Sequence, residues 1–398
     1  VSDKNNKALK PGWRRVKFGD VVRLSKTRSQ DPLADGIERY VGLEHLEPGD
    51  LRIRSWGNVA DGVTFTSVFQ PGQVLFGKRR AYQRKVAMAD FSGVCSGDIY
   101  VLETKDAQVL LPELLPFICQ TDAFFDHAVG TSAGSLSPRT NWTSLADFEF
   151  VLPSMDTQKS ILSVLNSYST LDDTYASASR YALDLLGSHA NAIFSNRKYE
   201  LVTFEKVLTR QPQSGLYKAQ EFLGRGTKIV NMGELFGFDT ITSSLDMKRM
   251  ELTQEEVYKY QLTPDDLLFG RRSIVLEGAG KCSMIGALQE PVIFESSILR
   301  VTVNPEIVLP QFIFEWLRSP KGTQQITRIR SFTTVAGITG SDLKRIVVPV
   351  MPIQEQLAIS DELSSMRASV GAFSQRQTAN RALKKTILEE ILGRGDVH

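Results

Sequence analysis

The sequence predicts an α+β fold built from one unit used twice: a β-rich domain followed by a long helix, with the two long helices packed on each other. Three observations lead there. The chain repeats itself at a period near half its length, the first part of each copy has strand-and-turn texture, and the second part is a long stretch nearly free of Gly and Pro.

Landmarks that recur in the same order carry the repeat. Val16–Val22 (VKFGDVV) matches Val202–Leu208 (VTFEKVL), and Val41–Leu46 (VGLEHL) falls near Val230–Leu235 (VNMGEL). Val74–Arg79 (VLFGKR) resembles Leu267–Arg272 (LLFGRR), and Phe150–Gln158 (FVLPSMDTQ) resembles Ile346–Gln354 (IVVPVMPIQ). The offset drifts along the chain, as loop insertions in a duplicated unit would make it do. The expected division is a β-rich domain at 1–153, a helix at 154–196, a second β-rich domain at 197–351 and a second helix at 352–393.

Each β-rich part alternates short Val, Ile, Phe and Thr segments with turn signals such as Glu47–Asp50, Gln70–Gln73 and Thr263–Asp266. One helical insert is expected in each, at Leu111–His127 and Leu309–Arg318, where apolar residues recur at three and four. In the first long stretch Ile161, Val164, Tyr168, Leu171, Tyr175, Ala178, Ala182, Leu185, His189 and Ala192 keep heptad spacing. In the second the stripe is Ile359, Leu363, Met366, Val370, Phe373, Gln377, Asn380, Lys384, Ile387 and Ile391, with three polar members in a row. At 1.5 Å per residue such helices run roughly 55–60 Å, and a stripe that narrow needs a partner. The competing reading is a long core helix within one large domain. The side chains expected to join the helices are Ile161, Tyr168, Leu171, Tyr175, Leu185, Leu363, Met366, Val370, Phe373 and Ile387.

Composition narrows the function classes. With 398 residues, 42% hydrophobic and 23% charged, the chain is large enough for two or three packed domains. Three scattered cysteines, Cys95, Cys119 and Cys282, do not make a disulfide framework, which points to a reducing, cytoplasmic setting. The polar first residues lack the apolar core of a signal peptide, and apolar runs such as 347–353 are too short for a membrane span.

Catalytic patterns are missing. Gly280-Lys281 is followed by Cys282 rather than Ser or Thr, and Val275 stands where a phosphate-binding loop needs glycine. His45, His127, His189 and His398 have no metal-ligand spacing, so no metal is expected. Asp90, Glu103 and Lys105 have the residue types of a metal-dependent nuclease, a combination that chance readily produces in a charged chain.

The near balance of 47 Lys+Arg against 45 Asp+Glu hides local basic clusters. Lys78, Arg79, Arg80, Arg84 and Lys85 lie together without an acid, interleaved with Tyr82 and Gln83. Their counterparts in the second copy are Arg271, Arg272 and, past a Gly-rich link, Lys281. A Ser/Thr-rich, acid-free loop follows in each copy, with Arg139 in the first and Arg328, Arg330, Thr333 and Thr334 in the second. Hydroxyls and cations of this kind bind phosphates, and Arg and Gln read base edges, so these residues are the candidate DNA contacts. A single basic cluster is more often a solvated face; basic character at equivalent points of two diverged copies is the stronger signal.

The ordered set Trp13–Val21 (WRRVKFGDV), Tyr40–Leu46 (YVGLEHL), Gly72–Arg79 (GQVLFGKR) and Phe150–Pro153 (FVLP) with Gln158 opening a helix, then Val348–Gln356 (VPVMPIQEQ), resembles the specificity subunit of Type I restriction-modification enzymes. The likeness spans nearly the whole chain. It implies two target-recognition domains in a pseudo-two-fold arrangement, joined by two long antiparallel helices that form a coiled-coil spacer between the halves of a split DNA site. It also implies a non-catalytic chain that serves two modification subunits, which bind S-adenosylmethionine and methylate adenine, and restriction subunits that use ATP and Mg. The polar stretch at Gln377, Asn380 and Lys384 departs from a simple apolar seam. Two readings of other classes compete: a protein-interaction scaffold with duplicated β-rich modules, and a nuclease using Asp90, Glu103 and Lys105. A specificity subunit of another restriction class is a nearer variant.

Overall fold

A computed structural model describes residues 9–196, 199–332 and 336–393. The chain divides into two compact units, Val1–Tyr175 with Gln375–His398, and Ala176–Ser374. Each unit therefore holds one β-rich region together with a segment of both long helices, Met155–Asn196 and Ile353–Leu388.

In unit one, four antiparallel strands lie in the order Val22–Leu24, Ile99–Thr104, Val74–Gly77, Val86–Met88. A second four-stranded sheet contains Arg39–Val41 paired in parallel with Gly93–Cys95. Arg14–Lys17 closes on Glu149–Leu152, tying the start of the region to the strand that leads into the first long helix. Unit two repeats the plan. Leu267–Gly270 sits between Ile298–Val301 and Cys282–Ile285 in a five-stranded sheet, and Glu200–Thr203 pairs with Val347–Val350. The matching runs VLFG and LLFG are the central strands, buried at every residue, which is why neither alternates apolar with polar. The glycine that ends the second of these strands is required: a Cβ on Gly270 would collide with the Gly278 carbonyl of the returning loop.

The expected insert Leu111–His127 is broken at Thr121, whereas Leu309–Arg318 is one helix, Pro310–Leu317, followed by a further one. In unit one Thr121 caps a helix at Asp122–Gly130, accepting from Phe124 N at 3.3 Å, and in unit two Ser319 caps Pro320–Ile329, accepting from Gly322 N at 3.2 Å. A hydroxyl at the N-cap satisfies a backbone N–H that the new helix cannot, so the chain turns where the apolar spacing alone would run on.

Both long helices contribute to each core. In unit one Ile161, Leu165, Leu388 and Leu392 pack with Phe18, Phe76, Leu114 and Phe124. In unit two Leu186, Ile193, Phe194, Ile359, Leu363 and Val370 pack with Phe269, Phe312 and Trp316. The helices run antiparallel within each unit. In unit one Asn380 Nδ2 donates to Tyr168 O at 3.0 Å, Gln377 to Asp172, and Lys384 to Ser169 Oγ at 3.0 Å; in unit two His189 meets Glu362 at 2.7 Å. The three polar members of the second stripe are thus its bonds to the first helix, and they specify register.

Of the side chains expected at the helix pairing, Ile161, Leu363 and Val370 are buried, and Tyr168, Tyr175, Met366, Phe373 and Ile387 half-buried. Leu171 and Leu185 are instead exposed, at 39% and 62%. The packed face takes the next residue on, Leu165, Asp172 and Leu186, so the heptad holds at every seventh position and its intermediate member is four residues on, not three. Both phases are apolar at 164–165 and 185–186, and at 172 an acid wins because its carboxylate bonds Arg381 at 2.7 Å.

Asn380→Leu should weaken the pairing in unit one by about 1 kcal/mol, because the Tyr168 carbonyl loses its donor in a half-dry seam. Chemical denaturation of the full chain would show it; an unchanged midpoint would remove the register role.

Candidate nucleic-acid interface

In unit one the central strand Val74–Gly77 delivers Lys78–Lys85 to one end of the sheet. Lys78 N–H donates to Asp98 O at 2.9 Å and Thr140 N–H to Lys78 O at 3.0 Å, while the Arg79 backbone forms an antiparallel β-bridge with that of Arg139. The basic segment and the Ser/Thr-rich loop, 60 residues apart in sequence numbering, are therefore one surface. Asp98 organises it, accepting from Arg139 Nε at 2.7 Å and Arg79 Nη1 at 3.3 Å. Ser137 Oγ accepts from Arg79 at 3.0 Å and from Arg80 at 3.2 Å. Among the described residues Asp98 is the one carboxylate paired with these guanidiniums, so positive charge is in excess. The Lys78 ammonium lies 4.6 Å from the Tyr100 ring centre, and burial holds it below the ordinary lysine range.

Backbone strain marks the same loop. Arg80 and Arg84 adopt left-handed conformations, with φ of 52° and 56°, on either side of a short turn that lifts Tyr82 into solvent. Non-glycine residues in that region cost energy and cluster at functional sites. Not every cation in the segment is free to bind a phosphate. Arg84 pairs with Asp122 and stacks 4.6 Å from the Phe125 ring, and Lys85 donates to Leu43 O at 2.6 Å; both hold the loop to the core. Gln83 is half-buried beside Tyr82.

In unit two Arg271 and Arg272 leave the central strand Leu267–Gly270, and Arg272–Ser273 pairs with Ala336–Gly337. Arg271 is tethered through backbone bonds to Ser297 O and from Ile338 N, at 2.7 and 3.0 Å. Lys281 returns beside it, its carbonyl accepting from Gly270 N at 2.9 Å. Arg330 Nε donates to Ala279 O at 2.7 Å and so clamps the loop rather than facing solvent. Arg272 and Arg328 are exposed and make no side-chain bond among the described residues. Thr333 and Thr334 lie outside the described residues. The residues that the sequence did not single out are Asp98 and Ser137, whose part in the surface comes from tertiary placement alone.

Arg139, then Arg79, holds the Asp98 carboxyl below the usual carboxylate range. A carboxyl with a lowered folded pKa contributes stability fully above its unfolded value, about 3.9, and loses it as pH falls through the folded value. Hydrogen-exchange protection across 130–140, corrected for the intrinsic pH dependence of amide exchange, should stay flat from about pH 8 to 5 and fall only below about pH 4. Protection that already falls between neutrality and about pH 5 would mean that Asp98 does not hold the loop.

Two of the three residues of the nuclease alternative are tied to other partners. Glu103 bonds Arg23 and Gln73, each at 2.7 Å, and Lys105 donates to Gly19 O at 2.5 Å. No group of three or more potential metal ligands occurs among the described residues. Burial pushes the Cys95 thiol up to about 12 and raises that of Cys119, leaving both poor nucleophiles. No helix among the described residues is long and apolar enough to cross a membrane.

No protein-family model matches the chain. The specificity subunit of the Type I restriction enzyme EcoKI of Escherichia coli K12 is 23% identical over 198 residues, 49% of this chain and 42% of that protein, so the match spans less than half of that relative. The MjaVIII specificity subunit of Methanocaldococcus jannaschii is 20% identical over 96% of this chain and 92% of its own. Among solved structures, a chain from work on assembly and conformational transition of the type I R-M system aligns with a TM-score of 0.61 at 17% identity, covering 97% of this chain and 98% of that one. The Type I restriction-modification S subunit of M. genitalium aligns with a TM-score of 0.54 at 13% identity, covering 98% and 97%. In sequence and in fold alike, the chain is similar to the specificity subunits of Type I restriction enzymes.

Proposed function

We propose that this chain is the DNA-recognition subunit of a Type I restriction-modification system, each unit reading one half of a bipartite, asymmetric target. The observation that carries the reading is the repeated one: after the buried central strand of each unit comes a loop with cations beyond those its own acids neutralise, Arg80 in one and Arg272 in the other. Such cations release counterions from the DNA backbone, and neighbouring polar side chains read base edges.

The chain itself is not the catalyst in this reading. It directs adenine methylation by two modification subunits that carry S-adenosylmethionine, and cleavage by restriction subunits that use ATP and Mg, all in the cytoplasm. The exposed apolar residues Val164 and Leu171 in unit one, and Leu185 in unit two, offer helical partners a place to pack. The lengths of the two long helices, 42 and 36 residues, set the gap between half-sites.

Co-expression with the modification subunits of its source, in a host without adenine methylation, should give a split methylated motif on sequencing the genome. A seven-residue insertion in both long helices should lengthen the unspecified gap or abolish assembly. Methylation without a split motif, or an unchanged gap in an assembled insertion variant, would refute the reading.

A further inference from the structure

The loop that follows the central strand of unit two carries an unusual surface. Ile274, Val275 and Leu276 are consecutive aliphatic residues, exposed at 90%, 53% and 44%. The loop is nonetheless well braced. Val275 N–H donates to Ser273 Oγ at 3.2 Å, Gly278 N–H to Val275 O at 3.1 Å, and Arg330 reaches Ala279 O and Glu277 O at 2.7 and 3.3 Å. The Phe236 ring lies so close against Gly278 that no Cβ would fit there. An apolar tip held rigid in solvent is costly unless something covers it.

Its surroundings identify the occupant. Arg271 and Arg272 precede the tip and Lys281 follows it, a cationic frame suited to phosphates, while Arg330 braces the loop from beneath. Unit one has the same plan at the equivalent place, where Tyr82, 56% exposed, stands between Arg80 and Arg84. Aliphatic side chains cannot bond to base edges; in the major groove the apolar group within their reach is the C5 methyl of thymine. Resting on the DNA-recognition reading above, we propose that Ile274, with Val275 and Leu276, is a specificity-determining tip that reads a thymine methyl group while the flanking cations hold the backbone.

The test uses the full chain, wild type and Ile274→Ala, assembled with the modification subunits and bound to duplexes carrying its methylated motif. Each thymine is replaced singly by deoxyuridine, which removes only the methyl. At one or two positions uracil should weaken wild-type binding about fourfold, the worth of one buried methyl. Ile274→Ala should bind the parent duplex less tightly by a similar factor and be indifferent to uracil there. Ile274 is almost wholly exposed, so the variant should keep the fold, which circular dichroism will show. Specific binding by the wild type that tolerates uracil at every position overturns this proposal alone. So does uracil sensitivity that persists in Ile274→Ala, or a 2-aminopurine signal of base unstacking that Ile274→Ala abolishes, since that would make the tip a wedge. Absence of any sequence-specific binding by the wild type overturns the DNA-recognition reading as well.

Discussion

Changing Arg80, Arg272 and Arg328 together to alanine is expected to weaken DNA binding by the assembled chain about three-thousandfold near 50 mM salt and about eightyfold near 200 mM. Each phosphate contact contributes about 0.9 to the slope of log affinity against log salt, so three lost contacts take nearly 3 from it. The three were chosen by what the structure does not ask of them. Arg272 and Arg328 are exposed without a side-chain partner among the described residues, and there the Arg80 side chain bonds only the Ser137 hydroxyl. Their loss should therefore leave the fold alone. Arg84→Met is the contrast: it breaks the Asp122 pair and the stack on Phe125, so it should lower stability and leave the salt slope nearly unchanged. Anisotropy titrations at four or five salt concentrations separate the two. An unaltered slope in the triple variant would place the DNA surface elsewhere.

The duplication and both long helices were legible in the sequence because they rest on local signals: buried strands without alternation, turn residues, and heptad spacing nearly free of breakers. What escaped was decided by contacts between distant segments. The pairing of Pro153 with Pro349 in the repeat is off by two residues. Phe150 pairs with Val16 and Val348 with Val202, so Met351 and Gln356 answer Pro153 and Gln158, while Pro349 lies within a strand. A shared proline outweighed the register of the sheet, and Gln354, the residue that the motif suggested, is exposed. The phase of the first stripe failed for a related reason, since Val164-Leu165 and Leu185-Leu186 give period counting no way to choose. Within the basic segment, the sequence showed where the cations are. Which of them are already committed depended on Asp98 and Asp122, neither of which has a local signature.

The corrected register exposes a pair of residues whose loss should be costly. Gln158 and Gln356 are both fully buried at the starts of the long helices, and each makes the same three bonds. Gln158 Oε1 accepts from Leu111 N at 3.0 Å and its Nε2 donates to Val109 O and Pro153 O, each at 2.9 Å. Gln356 Oε1 accepts from Leu309 N at 2.8 Å and its Nε2 donates to Ile307 O at 2.9 Å and Met351 O at 2.8 Å. Each amide thus fastens the helix start to the loop that opens the helical insert. Gln356→Leu leaves one N–H and two carbonyls without a partner in a dry core, and should lower stability by about 3 kcal/mol, read by urea denaturation. Gln356→Glu is the more telling variant, being nearly isosteric. Its Oε1 can still accept from Leu309, but an ionised carboxylate would face the Ile307 and Met351 carbonyls. Burial and those dipoles favour the protonated acid, so its folded pKa should rise above the unfolded value of about 4.3. A raised folded pKa means that the native state takes up a proton first, so the variant should gain stability as pH falls through the folded value toward 4.3. Its stability deficit relative to wild type should therefore shrink from neutral pH to about pH 5, whereas that of Gln356→Leu should not. A deficit for Gln356→Glu that is flat with pH would mean that the amide's two donated bonds are not what holds the helix start in place.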